Sequence, residues 1–325
     1  DSYYTAIINW VKQRYDLIVT KEVINFVPGI VPGIGMAMNC FTQKGDKVMI
    51  QPPVYHPFAW VTTRNERTLV INPLRWENGM YRMDLDAFRE QIKGCKLFIL
   101  CNPHNPGGVV WTEAELRAIA DICYDEKVLV FSDEIHADLT LPPHTHRPFA
   151  TVSEKARMNS VTFMSPSKAF NMPGLSASHA LIFNEDLRKR FRIYMDAGEL
   201  DMGHVFAFLS VEAAYSHGTE WLDQCLAYIQ GNIDFVDEFL KKHAPKIKAI
   251  RPEASYLVWL DCRELELSQK DLNEFFVDKA HLALNDGEMF GKEGIGFMRL
   301  NVASPRCIIE KAMKQLADAY QLYIK

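Results

Sequence analysis

The sequence predicts an α/β protein whose larger part is a mostly parallel sheet, followed by a smaller α+β section near the C-terminus. Two observations carry this prediction. Short apolar runs alternate with helical patterns through the first two thirds of the chain, as in the βα units that build parallel sheets. Several of these runs are apolar at every position, which is typical of strands covered on both faces. The chain has 325 residues, of which 48% are hydrophobic, enough for a large core.

Strands and helices are predicted in turn along the first part of the chain. Residues 1–15 carry charges and show the apolar spacing of an amphipathic helix, so we do not expect a signal peptide. The clearest later helix is 112–127, where Thr112 and Glu115 form the pattern of a capping box. Seven strands are predicted, at residues 22–27, 47–51, 68–74, 96–102, 128–133, 160–164 and 178–183.

After residue 183 the pattern changes to long helices and then to a small α+β section. The long helices are predicted at 185–199, 204–216 and 219–243. They are followed by strand 255–261, helix 269–280, strand 297–303 and helix 305–323. Because no flexible linker is visible, we place a domain boundary near residue 230, inside a helix. This divides a large domain, 1–230, from a small C-terminal domain, 231–325.

Composition excludes several classes of function. The formal net charge is −5 and no basic block is present, which argues against nucleic-acid binding. The longest apolar runs, such as LFILC at 97–101, are too short to cross a bilayer. The seven cysteines include no C-x-x-C pair, which favours reduced residues in the cytoplasm. The histidines show no metal-ligand spacing, so no metal site is expected.

The ends of the predicted strands carry the candidate functional residues, because ligands of open α/β sheets bind beyond the carboxyl ends of the strands. The turn PGIVPG at 28–33 leads into a helix and offers N–H groups to a phosphate. In QPPVYHP at 51–57, Tyr55 is presented by a proline-stiffened turn and could stack on a flat ring. A plain β–α turn and local packing are the alternatives at these two positions.

Three further strand ends carry polar groups. NPHNPGG at 102–108 fixes a tight turn and aims an amide outward. Asp133 ends an apolar strand and needs a cation, either a structural Lys or Arg or a protonated ring nitrogen. Lys168 follows the hydroxyl residues Ser165 and Ser167 and precedes a turn. It could form a Schiff base, although most lysines are solvated surface charges. Together the five strand ends offer the contacts that pyridoxal 5′-phosphate needs.

These motifs resemble those of the fold-type I pyridoxal-phosphate enzymes of the class I/II aminotransferase family, over nearly the whole chain. DEIH at 133–136, SPSK at 165–168 and NPHNPG at 102–107 occur in that family's order and spacing. The resemblance implies a large domain with a seven-stranded, mostly parallel sheet, a smaller C-terminal domain and a homodimer with shared active sites. It also implies a further N-terminal segment, expected before the first helix, that is absent from this chain.

The resemblance also implies roles for individual residues. Lys168 would bind the cofactor covalently and, with its pKa lowered by burial, act as the catalytic base. His136 stands where aminotransferases usually have a tyrosine, and Ser176 where many have a phosphate-binding arginine. The remaining implied contacts are Asp133 with the pyridine nitrogen, Asn105 with the ring hydroxyl, Tyr55 with the ring face, Ser165 and the N–H groups of Ile30 and Val31 with the phosphate, and Arg306, in RLNVASPR at 299–306, with the substrate carboxylate.

Within the family, the chain most resembles the cystathionine β-lyase and cystalysin-type C–S lyases, through QPPVYHPF at 51–58, SDEIHADL at 132–139, SKAFN at 167–171 and GTEWLD at 218–223. This implies a cytoplasmic enzyme that converts cystathionine, cysteine or a related S-substituted cysteine to pyruvate, ammonia and a thiol. An aminotransferase and a non-catalytic regulator on the same scaffold are the alternatives. We expect His136 to titrate near neutrality beside the ring hydroxyl, with a structural hydrogen bond as its alternative role.

Overall fold

Two sheets, of seven and four strands, form the framework of the computed structural model, which describes residues 1–323. A separate two-stranded hairpin is formed by β4 and β5. The strands are β1 (Ile24–Val27), β2 (Lys47–Ile50), β3 (Thr68–Ile71), β4 (Arg75–Glu77), β5 (Met80–Arg82), β6 (Cys95–Cys101), β7 (Leu129–Asp133), β8 (Ser160–Met164), β9 (Ser178–Leu181), β10 (Lys248–Ile250), β11 (Leu257–Asp261), β12 (Asn285–Asp286) and β13 (Phe297–Asn301).

Helices cover both sheets. Helix α5 begins with the predicted capping box, since Thr112 and Glu115 bond each other's backbone N–H groups. The helices are α1 (Ser2–Tyr15), α2 (Ile30–Phe41), α3 (Pro57–Arg64), α4 (Leu85–Gln91), α5 (Glu113–Asp125), α6 (Glu154–Met158), α7 (Glu185–Ala197), α8 (Val205–His217), α9 (Thr219–His243), α10 (Gln269–Glu274) and α11 (Arg306–Tyr323).

The larger sheet is mostly parallel, with strand order β1-β9-β8-β7-β6-β2-β3. Strands β3, β2, β6, β7 and β8 pair in parallel, whereas β9 is antiparallel to both β8 and β1. Every residue of β1, β8 and β9 is buried, as expected of strands covered on both faces. The predicted α/β fold with a mostly parallel seven-stranded sheet is confirmed. The carboxyl ends of β1, β2, β6, β7 and β8 meet at one edge, where the candidate residues follow.

The smaller sheet is antiparallel, in the order β10-β11-β13-β12. Helix α9 connects the part of the chain that forms the larger sheet to this one, and the boundary predicted near residue 230 lies inside it and stays a prediction. One cluster of buried apolar side chains includes Ile7 of α1, Val211 of α8, Leu240 of α9 and Leu260 of β11. The two parts therefore share a core, which accounts for the lack of a linker between them. Within residues 1–323, the helices are too short or too polar to cross a membrane.

Several local elements differ from the sequence prediction, among them strands β10 and β12 of the smaller sheet, which were not predicted. The hairpin β4–β5 was not predicted, although its turn is the pair Asn78-Gly79, with φ of 51° and 81°. Asn-Gly with positive φ at both positions is a strong signal for a two-residue hairpin turn. The predicted helix 269–280 is α-helical only to Glu274 and continues as a π-helix over Phe275–Lys279. Hydrophobic spacing alone does not distinguish these two helix types.

Candidate active site

A cavity of about 430 Å³ lies at the edge of the larger sheet where the carboxyl ends of the parallel strands meet. It extends to the smaller sheet, which contributes Leu257, Arg299 and Asn301. The predicted site residues that line it are Ile30, Val31, Tyr55, Asn105, Asp133, His136 and Lys168. Ser165 and Arg306 do not line it.

Lys168 follows β8 and lies half-buried in the cavity wall. Burial lowers the pKa of its amine, and the positive charge of Arg299 acts in the same direction, whereas the carboxylate of Asp133 opposes the shift. The direction agrees with the sequence-based expectation. A lowered pKa increases the fraction of neutral amine, the form that acts as a nucleophile or base.

Asp133 is the last residue of β7 and is buried. Its Oδ1 accepts a hydrogen bond from the backbone N–H of Ile135 at 3.1 Å. Burial raises the pKa of the carboxyl group to about 7, and the charge of Glu134 adds to the shift, while the Ile135 bond and the charge of Lys168 oppose it. Asp133 has no salt bridge to any residue in the part of the chain that the structure describes. A cation in the cavity would therefore be stabilised by this carboxylate and would favour its ionised form.

Arg299 is a cation in the same cavity that sequence reasoning did not assign. Its Nη1 and Nη2 donate hydrogen bonds of 2.8 Å to the Oδ1 atoms of Asn105 and Asn285, and its guanidinium lies 4.6 Å from the centroid of the Phe290 ring. Burial lowers its pKa to about 10, so it remains charged at neutral pH. The bond to Asn105 uses the amide oxygen of that residue and leaves its NH₂ group as a donor. A charged fork held in this way suits a carboxylate.

His136 is buried, and its Nδ1 atom has no hydrogen-bond partner in residues 1–323. Burial lowers the pKa of the imidazole to about 3, and the charges of Lys168 and Arg299 add to the shift. The imidazole is therefore neutral at pH 7, and the expectation that it titrates near neutrality is wrong. Its unpaired nitrogen is available to a polar group of a bound molecule.

One end of the cavity is suited to an anion. Helix α2 begins at Ile30, after Gly29 with φ of 142°, and its first residues line the wall. The free N–H groups of a helix N-terminus attract phosphate. The hydroxyl-bearing residues that line the cavity beside it are Ser167, Ser176 and Ser178.

Ser165 is buried behind this wall and does not form it. Its hydroxyl group lies 2.8 Å from the carbonyl oxygen of Ala177 and 2.8 Å from Oγ of Ser167, and its oxygen accepts a 3.1 Å bond from the N–H of Ser167. These bonds occupy the hydroxyl group and fix the position of Ser167. Ser167 lines the cavity and Ser165 does not, so Ser167 is the serine of this turn that is placed to meet a phosphate.

Arg306 also lies outside the cavity, at the start of α11. Its Nε donates a 2.8 Å hydrogen bond to Oδ1 of Asn232, and its guanidinium is 4.9 Å from the centroid of the Phe235 ring. Both partners belong to α9, so the side chain holds α11 against that helix. Arg299, and not Arg306, is therefore the arginine that is placed to meet a carboxylate in the cavity.

Comparison with known proteins identifies the family. The sequence model described as aminotransferase class I and II matches residues 1–316. The chain belongs to this family.

Relatives within the class I and II aminotransferase family include carbon–sulfur lyases. Cystathionine beta-lyase PatB of Bacillus subtilis is 38% identical over 316 residues, which cover 97% of this chain and 82% of that protein. Cystalysin of Treponema denticola, solved with a pyridoxal 5′-phosphate cofactor, has a TM-score of 0.97 at 34% identity, with 100% of this chain and 82% of cystalysin covered. The PLP-bound C-S lyase of Staphylococcus hominis has a TM-score of 0.91 at 33% identity and covers 98% of this chain and 83% of its own.

The sequence of this family member contained a signal for one of the missed cavity residues. Arg299 interrupts the apolar strand FMRLN at 297–301, and a cation inside a strand is costly unless an anion or polar partner meets it. Tyr256, directly before β11, also lines the cavity, but nothing local distinguishes it from a core aromatic residue.

No group of three or more His, Cys, Asp and Glu residues with metal-binding geometry occurs among residues 1–323.

Proposed function

We propose that this chain is a pyridoxal-phosphate-dependent C–S β-lyase, which converts cystathionine, cysteine or a related S-substituted cysteine to pyruvate, ammonia and a thiol. One observation carries the proposal: a lysine with a lowered pKa, a buried carboxylate without an ion-pair partner among residues 1–323 and a half-buried arginine line one cavity. The names of the relatives, cystathionine beta-lyase, cystalysin and C-S lyase, support the same activity.

The cavity residues fit the cofactor. Lys168 would bind it covalently, and Asp133 would pair with its protonated ring nitrogen, which supplies the cation that the buried carboxylate lacks. The NH₂ group of Asn105 and the unpaired nitrogen of His136 would bind the ring hydroxyl. Tyr55 would stack on the ring. The groups that would hold the phosphate are the N–H groups of Ile30 and Val31 and the hydroxyls of Ser167, Ser176 and Ser178.

The protein supplies binding and proton transfer. When bound, pyridoxal phosphate supplies an electron-accepting ring that stabilises negative charge at the substrate Cα. Arg299 would hold the α-carboxylate through its guanidinium fork and so fix the Cα atom beside Lys168. Once the substrate amine has displaced Lys168 from the cofactor, the freed neutral amine of Lys168 would take the Cα proton, and the resulting ammonium could donate a proton to the departing sulfur. Asp133 would remain ionised while it faces a cation.

Product analysis tests the proposed reaction. The purified protein, with pyridoxal phosphate and cystathionine or an S-substituted cysteine but no keto acid, should release pyruvate, ammonia and thiol in equal amounts. Lys168→Ala is the matched control and should release none while its far-UV circular dichroism is unchanged. The aminotransferase alternative shares the same cavity residues. It would be correct instead if turnover required a keto acid and returned a new amino acid.

We also propose that the chain forms a homodimer in the cytoplasm. Large apolar side chains at the start of α8 and just before it are exposed: Met202 by 75%, Val205 by 61%, Phe206 by 67% and Leu209 by 52%. An apolar patch of this kind is typical of a protein–protein interface. The cysteines are all free thiols, as in a reducing compartment. Sedimentation that gives only a 37.3 kDa species at working concentrations would contradict the dimer.

A further inference from the structure

We propose that a second cavity beside Lys168 binds the substituent on the substrate sulfur, and that it selects apolar, especially aryl, substituents. This proposal rests on the proposed C–S β-lyase function. The second cavity has a volume of about 300 Å³. Lys168, Tyr256 and Asn301 line both cavities, so Lys168 lies at their junction. A substrate whose Cα atom is beside Lys168 can therefore extend into the second cavity.

Aromatic and aliphatic side chains form most of the walls, and the uncharged polar residues of the lining are Asn171, Asn301 and Ser304. Trp221, Cys225, Tyr228 and Ile229 line the cavity from α9, at the spacing that places residues on one face of a helix. Leu139 and Pro305 line it from other segments. This composition suits an uncharged hydrocarbon or aryl group.

Two of the aromatic walls are held in place by contacts outside the cavity. The ring of Trp221 stacks on that of Phe170, with centroids 5.8 Å apart and planes at 24°. The hydroxyl of Tyr228 accepts a 2.6 Å hydrogen bond from the backbone N–H of Arg306. Because these rings are fixed before a ligand arrives, binding costs little side-chain entropy.

Charged substituents lack partners here. Among the described residues that line the second cavity, Lys168 alone carries a charge. Arg306, next to the lining residue Pro305, directs its guanidinium to Asn232 and Phe235 instead. The second amino-acid group of cystathionine would therefore lose water without gaining an ion pair, which is unfavourable. An aryl group has no charge to desolvate, and burial of its apolar surface in the second cavity favours binding.

The direction of β13 leads from one cavity to the other. Arg299 and Asn301 are two residues apart on this strand and therefore point to the same face. The chain then continues to Ala303 and Pro305, which line the second cavity. The distance along the strand from Arg299 to Asn301 is about 7 Å. A substituent on the sulfur of a cysteine whose carboxylate binds Arg299 would therefore extend along the strand towards Asn301 and the second cavity.

The binding test uses carbon analogues, in which CH₂ replaces sulfur so that elimination is impossible. 2-Amino-4-phenylbutanoate replaces S-phenylcysteine, and 2-aminopentanoate replaces S-methylcysteine. Titration of the holoenzyme, followed by the cofactor absorbance, should give a Kd about 10- to 100-fold lower for the phenyl analogue, the value expected for burial of an aromatic side chain. Equal or weaker binding of the phenyl analogue would overturn the proposal.

Variants place the effect in the second cavity. Cys225→Phe fills it, so the ratio of kcat/KM for S-phenylcysteine to that for S-methylcysteine should fall at least tenfold. Ala227→Phe is the matched control, because Ala227 is exposed on the same helix and does not line the cavity, and the ratio should stay as in the wild type. If Cys225→Phe does not fold, as judged by circular dichroism, Trp221→Ala should lower the same ratio by removing a wall.

Two results distinguish the failure of this proposal from failure of the lyase function. An unchanged ratio in Cys225→Phe and Trp221→Ala, with pyruvate still formed from S-methylcysteine, would refute the second cavity as the subsite and leave the lyase proposal intact. A wild-type kcat/KM for cystathionine above that for S-phenylcysteine would also refute it. If the wild type forms no pyruvate from any S-substituted cysteine, the lyase proposal fails first.

Discussion

Replacement of the two C-terminal arginines tests how the substrate is anchored. Arg299 lines the cavity as a half-buried cation bonded to Asn105 and Asn285, whereas Arg306 is bonded to Asn232 outside it. Removal of one partner from a buried charge-assisted pair costs about 2–5 kcal/mol. Arg299→Ala should therefore weaken binding of the substrate carboxylate by about 30- to 4,000-fold, and the loss of its bond to Asn105 adds to the effect.

The assay is a titration of each holoenzyme variant with 2-aminopentanoate, followed by the cofactor absorbance, together with kcat/KM for S-methylcysteine. Arg306→Ala should bind the analogue within about threefold of the wild type. It should nevertheless lose about 1–3 kcal/mol of unfolding free energy, because the buried Asn232 loses a hydrogen-bond partner. Arg299→Lys keeps the charge but not the fork, so an intermediate loss is expected. The reasoning is refuted if Arg306→Ala loses 30-fold or more while Arg299→Ala binds normally.

Three further predictions follow from burial and backbone geometry. The pKa of Asp133 is raised to about 7 in the folded, cofactor-free protein and is about 3.9 when unfolded, so its ionisation destabilises the fold as the pH rises from about 4 to 7. Asp133→Asn should remove up to about 4 kcal/mol of this pH-dependent loss of unfolding free energy. Urea unfolding of the cofactor-free proteins at several pH values measures it. If the unfolding free energies of the two proteins change in parallel with pH, the prediction is contradicted. The buried imidazole of His136 is neutral above pH 5. His136→Gln should therefore change the rate without moving any inflection of the pH–rate profile between pH 6 and 8. Loss of an inflection in that range would refute this prediction. Gly108→Ala should lower the free energy of unfolding by about 2–4 kcal/mol, because φ is 69° and the new Cβ would lie 2.5 Å from Cβ of Pro252; an unchanged urea midpoint would show that the turn relaxes.

The cavity wall could be predicted from the sequence where a residue's position follows from the end of a strand. Asp133 ends a parallel strand, and Tyr55, Asn105 and Lys168 lie within five residues of the end of another. The carboxyl ends of such strands meet at one edge. Their approximate placement therefore needs only the strand boundaries. The alternation of apolar runs and helices supplied those boundaries to within a few residues.

The remaining site residues depend on contacts between distant segments. The choice between Arg299 and Arg306 is fixed by the register of β13, where Arg299 lies opposite Trp259 of β11 and Asn285 of β12. The helix start that drew attention to Arg306 is a local feature and carries no information on this register. Burial of His136 likewise results from packing of the smaller sheet against the larger one, so its shifted pKa could not be deduced from the sequence around it.

Peptide mapping after borohydride reduction tests most directly whether the chemistry occurs in the Lys168 cavity. The purified protein is incubated with pyridoxal phosphate, reduced and digested, and the modified peptide is identified by mass spectrometry. Stoichiometric pyridoxyl modification should be found on Lys168, and Lys168→Ala should carry none. Modification of a different lysine, or no specific modification of the folded wild-type protein, would contradict the account.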